Sequence, residues 1–95
     1  MDKFEVSGQV KRFPGDYGWY YVVLDEGLSK DLRPLLANSG PALLKAEFVI
    51  NKTTWQSSIM PIKDGPLFIA LPAKVRKAET IEVADKINIT FRLRV

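Results

Sequence analysis

Apolar and polar residues alternate with a period of two through much of the chain. Phe4, Val6, Gly8 and Val10 share one face, which predicts a half-buried strand ending near Phe13. Pro14-Gly15-Asp16 predicts a turn. Tyr17 to Leu24 is aromatic and β-branched on both faces, with Trp19, Tyr21 and Val23 on one side and Tyr20, Val22 and Leu24 on the other. That pattern fits a central strand. Leu44, Ala46, Phe48 and Ile50 alternate again, and Asn51-Lys52 provides a two-residue turn into Thr53 to Met60. Pro61 to Pro66 reads as a loop and Leu67 to Leu71 as a short apolar strand. The last segment sets Ile87, Ile89, Phe91, Leu93 and Val95 against a polar to basic face.

Two segments carry helical spacing instead. Leu28, Leu32, Leu35 and Leu36 form one stripe, predicting a helix over 29–37. Ser29 or Asp31 can cap it; Asp31 is preferred because it puts Pro34 in the first turn, where a missing N–H costs nothing. Asn38-Ser39-Gly40-Pro41 ends that helix. Pro72 suits the first position of a second helix running to about Ala78.

In order, these elements read strand, strand, helix, strand, and then the same again. Leu24 and Leu71 correspond, an offset of 47 residues, close to half the chain. Neither half can bury its strands alone. The expected fold is mainly β with two short helices: a double-split β-barrel, one domain over 1–95, built from strand-strand-helix-strand halves at about 1–50 and 51–95. Closure of the sheet would remove exposed edges.

Composition narrows the chemistry. The 95 residues include no cysteine and no histidine, which excludes disulfides, thiolate metal sites, a thiol nucleophile and the usual general base. The amino terminus is charged from the start and no apolar run approaches membrane-spanning length, so a cytoplasmic protein with no membrane partner is expected. The net charge is +3, and its placement matters: residues 1–60 are neutral, while 61–95 carry Lys63, Lys74, Arg76, Lys77, Lys86, Arg92 and Arg94 against four acids.

Phe68-Ile69-Ala70-Leu71-Pro72-Ala73-Lys74-Val75-Arg76-Lys77-Ala78, followed by Ile81 and Ala84-Asp85-Lys86, resembles the swapped-hairpin unit of AbrB, MazE and SpoVT-like proteins. Ala84 stands where that pattern has glycine, which predicts a different turn geometry, because alanine resists positive φ. The chain as a whole, through Gly18-Trp19-Tyr20-Tyr21-Val22, Trp55-Gln56-Ser57-Ser58-Ile59-Met60-Pro61 and Leu71 to Ala78, resembles an uncharacterised prokaryotic family, domain of unknown function nineteen-oh-five, a partner of YdeI/OmpD-associated domains. Asp25 departs from the proline common there. The resemblance implies a double-split barrel and no known activity.

Four constellations are candidates for function. Lys74, Arg76, Lys77, Arg92 and Arg94 can neutralise phosphates, or simply keep a strand and helix solvated. Trp19, Tyr17, Tyr20, Tyr21 and Trp55 can line a pocket, or fill the barrel; their periodicity assigns Trp19 to the core and leaves Trp55, among the polar Gln56, Ser57 and Ser58, open to either role. Ser57 or Ser58 with Lys63 lacks the motif of a serine–lysine pair. Asp25, Glu26 and Asp31 suit a helix start better than a hard-metal site. The expectation is a monomeric binding or accessory module, not an enzyme, without cofactor or metal. Its partner would be an unidentified small molecule or protein, and Trp55, Ser57, Lys74, Arg76, Lys77 and Arg92 are its candidate contacts. The rival is a DNA-binding regulator or antitoxin-like protein of swapped-hairpin type.

Overall fold

The computed structural model describes residues 3–13, 19–37, 44–61 and 66–94. The expected turn at 14–16, Tyr17, the helix stop at 38–41, Lys63 and the Leu36 side chain lie outside the described residues. The strands are β1 (Lys3–Gln9), β2 (Lys11–Arg12), β3 (Tyr20–Val23), β4 (Leu44–Ile50), β5 (Thr53–Pro61), β6 (Leu67–Ala70) and β7 (Lys86–Leu93), with α1 (Glu26–Ala37) after β3 and α2 (Ala73–Glu79) after β6. The fold is thus mostly β with two short helices, in one sheet of order β1-β7-β4-β5-β6-β3-β2. The outer members, β1 and β2, are consecutive in the chain and part only at Val10. The first arm pairs antiparallel with β7 and the second with β3, so the sheet closes almost completely on itself into a barrel.

The bend at Val10 is hydrogen-bonded by the turn before β7. Val10 N–H donates to the Asp85 carbonyl and Ala84 N–H donates to the Val10 carbonyl, each at 2.8 Å. Contrary to the expectation that alanine would change this turn, Ala84 takes φ 78°, the positive value that its side chain disfavours, because its N–H must reach the Val10 carbonyl. The two bonds to the buried Val10 outweigh a backbone cost of roughly 1–2 kcal/mol. Nearby, β1 crosses β3 at Gly8, where a Cβ would lie 2.8 Å from Val22 Cγ1, so only glycine permits the approach.

Exchanging β1 with its β2 extension for β5, β3 for β6, α1 for α2 and β4 for β7 leaves every strand pairing unchanged. At the β3–β6 pair the exchange is a shift of 47 residues, and hydrogen bonds follow it. Leu24 N–H to the Leu67 carbonyl (2.9 Å) matches Leu71 N–H to the Tyr20 carbonyl (2.8 Å); Ser29 N–H to the Asp25 carbonyl matches Arg76 N–H to the Pro72 carbonyl. On the opposite wall an aromatic row crosses four strands, Phe4–Phe91–Phe48–Trp55, with ring centroids 5.2, 5.6 and 5.3 Å apart. The pseudo-two-fold axis falls between the paired Phe91 and Phe48. The core between these walls includes Val22, Leu24, Ile59, Leu67, Ile69 and Ile89.

Three further sequence expectations are corrected. The first helix starts at Glu26, not Ser29, and its cap is neither Asp31 nor Ser29: the Asp25 carboxylate caps it by accepting from Leu28 N–H at 2.8 Å, so Asp31 and Pro34 both lie inside the helix. Pro72 precedes α2 as its cap, in extended conformation. Trp19 is not core; it stands 53% exposed, because the barrel interior takes the Val22 and Leu24 face of β3. Tyr21, on the other face, packs instead with Phe13 and Phe68. No helix among the described residues is long and apolar enough to cross a membrane.

Two substitutions test this closure by chemical denaturation. Gly8→Ala should destabilise the fold by about 1–3 kcal/mol through overpacking against Val22. Ala84→Gly should stabilise it by up to about 1 kcal/mol by relieving the positive φ. A neutral Gly8→Ala would disprove the close crossing.

Candidate functional site

Where β6 ends, Leu71 is buried and Pro72 turns the chain into α2. This junction forms one wall of a cleft of about 520 Å³, a volume suited to a small molecule. Ala70, Leu71 and Pro72 line that wall; Ser57, Ser58 and Met60 of β5 line another; Trp19 and Tyr20 lie at the start of β3; and Arg76 reaches in from α2.

Among the described residues Arg76 is the one charged side chain of this lining, and it is held. Its Nε donates to the Leu71 carbonyl at 3.1 Å, and its Cζ stands 3.7 Å from the centroid of the Tyr20 ring. Arg12 approaches the same ring at 5.8 Å. A guanidinium stacked on an aromatic face loses little further freedom on meeting an anion, and its planar fork suits carboxylate or phosphate oxygens. The two serine hydroxyls can donate or accept, and Trp19 supplies an exposed apolar surface.

The pseudo-two-fold axis relates this cleft to a second, of about 460 Å³, lined by Val23, Leu24, Asp25, Glu26, Ser29 and Pro66. The shift of 47 carries Arg76 onto Ser29, and both donate to the carbonyl of the equivalent leucine, Ser29 Oγ to Leu24 at 3.3 Å. Ser29 is buried and its hydroxyl also accepts from Leu67 N–H. At that end the chain's own hydroxyl takes both bonds and the cleft is lined by Asp25 and Glu26, while the first end presents a cation to its cleft.

Of the residues expected to make contacts, Arg76 and Ser57 share the first cleft. Lys74 and Lys77 are exposed on α2. Arg92 stands on β7, two strands from β5, with Lys3 and Glu47 opposite it on the neighbouring strands. Trp55 stacks on Phe48 in the aromatic row; its buried indole N–H has no hydrogen-bond partner among the described residues. Arg94 Nη1 bonds Gln56 Oε1 across the sheet. Among the described residues no three carboxylates converge on a metal-binding geometry, and Asp25 serves the helix cap. Sequence reasoning includes Trp19 and Tyr20 among aromatics able to line a pocket, but it assigns Trp19 to the core and does not reach Tyr20 as a platform for Arg76. The 47-residue offset applied to Arg76 pairs it with Ser29 and points to two non-equivalent barrel ends.

The far end of α2 is tied down by Glu79, whose carboxylate accepts from Asn51 Nδ2 at 2.8 Å and from Thr53 Oγ1. These bonds, that from Thr53 foremost, hold its pKa below the ordinary 4.5. Fold and cleft together define a small pseudo-symmetric β-barrel with a cationic cleft at one end. The chain belongs to the family described as domain of unknown function (DUF1905), whose model matches residues 7–91. No curated protein matches the chain.

The depressed Glu79 pKa means its contribution to stability is present above the unfolded value of 4.5 and is lost as pH falls through the lower folded value. Glu79→Gln should therefore lower the melting temperature at pH 7, with the difference from wild type shrinking in acid. A difference that stays constant down to pH about 2, well below the ordinary carboxylate range, would remove the account.

Proposed function

We propose that this domain is a monomeric, non-catalytic binding module of the cytoplasm whose Arg76 cleft takes a small organic oxyanion, a carboxylate or phosphate carried on an apolar body. The observation that carries this reading is the guanidinium held against Tyr20 and the Leu71 carbonyl inside the cleft. Serine hydroxyls on one wall and Trp19 on the other complement an anionic head and an apolar body. A sheet that closes within one chain supports the monomer.

Amide and side-chain NMR titration with benzoate and with phenyl phosphate tests the proposal and separates the two anion types. At least one probe should move the resonances of Ser57, Ser58, the Trp19 indole and Arg76 Nε together. Arg76→Gln should weaken that binding by roughly tenfold or more, the value of a charge-assisted hydrogen bond. Absence of shifts at those positions with both probes, or equal binding by the variant, would reject it.

A further inference from the structure

The pairing of β5 suggests what kind of anion the cleft receives. β5 pairs with β4 from Thr53 to Ile59 but with β6 only from Ile59 to Pro61. The direction of its backbone groups follows from its neighbours. Arg94 N–H donates to the Lys45 carbonyl, so Lys45 faces β7, and the alternate residues Leu44, Ala46, Phe48 and Ile50 face β5. Their partners Ile59, Ser57, Trp55 and Thr53 then face β4. Thr54, Gln56 and Ser58 point their backbone groups the other way; the Ile59–Ile69 pair engages the Ser58 carbonyl with Ala70 N–H, so the Ser58 N–H and the backbone groups of Gln56 and Thr54 face the side that β6 has left. Among the described residues no strand pairs with that side before Ile59. Ser58 is the last of these positions, and it lines the Arg76 cleft.

A row of backbone donors and acceptors that ends beside a fixed guanidinium matches one ligand chemistry closely. An extended peptide adds to a strand edge through main-chain hydrogen bonds, and a guanidinium at the end of the row can take its terminal carboxylate. The charge complements Arg76, and the spacing of alternate backbone groups complements Ser58 and Gln56. We infer that the cleft binds the carboxy-terminal end of an extended peptide, with its carboxylate on Arg76 and its last residues pairing with the β5 edge at Ser58. This rests on the reading of the cleft as an oxyanion site.

The test uses the acetylated tetrapeptide Ac-Thr-Val-Thr-Val with a free carboxylate, its carboxamide, and a third form methylated on the backbone nitrogens. Benzoate and phenyl phosphate are titrated in parallel. The free acid should shift the Ser58 and Gln56 amides and slow their hydrogen exchange. The carboxamide and the N-methylated acid should each bind at least roughly tenfold more weakly. Arg76→Gln should erase the difference between acid and amide. If benzoate or phenyl phosphate binds while the peptide acid does not, or if the carboxamide or N-methylated form binds as well as the acid, the peptide inference is overturned and the oxyanion site stands. If no probe binds, both fall.

Discussion

The junction of Tyr20, Leu71 and Arg76 is the constraint on which both the barrel and its cleft depend. Leu71 N–H bonds the Tyr20 carbonyl and extends the β3–β6 pair past the end of β6. The Leu71 carbonyl then accepts from Arg76 Nε, and the Tyr20 ring supports the guanidinium. One short segment thus joins the halves of the sheet, sets the origin of α2 and aims a cation. A guanidinium tied to a main-chain carbonyl and laid on an aromatic face is positioned more closely than a surface lysine on a flexible stem.

Pseudo-symmetry explains why the two barrel ends differ so sharply from so few changes. Equivalent backbone bonds occur at both ends, and both helices present a donor to a leucine carbonyl. At one end the donor is the short, buried Ser29, which also accepts a backbone N–H and leaves no charge behind. At the other it is arginine, which has only donors and carries its charge beyond the carbonyl it bonds. Asp25 and Pro72 are equivalent in the same way: the carboxylate caps α1, whereas α2 begins without a side-chain cap. Acidic and basic ends follow from these two substitutions and a third, Glu26 against Ala73, on a shared frame.

Much of the architecture is legible because period-two alternation reports directly which side of a strand is buried. Ile89 and Phe91, or Ala46 and Phe48, show this plainly. The alternation fails at Trp19 because both faces of Tyr17 to Leu24 are apolar; the structure turns Val22 and Leu24 inward, where Val22 meets β1 at Gly8. The start of α1 is obscured because Asp31 and Ser29 both look like caps, whereas Asp31 lies inside the helix and Ser29 spends its hydroxyl on Leu24 and Leu67. Arg76 is recognisable as a candidate by charge alone, whereas its Tyr20 platform depends on the β3–β6 register, which no local pattern encodes. Grouping Arg92 with Arg76 reflects their nearness in sequence, which the sheet order undoes.

The central claim is that the Arg76 guanidinium is held in place before any ligand arrives. The Arg76 Nε–H resonance of the free protein tests it most directly. The account predicts a proton that shows a nuclear Overhauser contact with the Tyr20 ring and exchanges with water more slowly than the Nε–H of exposed Arg92. An Arg76 Nε–H that lacks this contact and exchanges like that of Arg92 would contradict it.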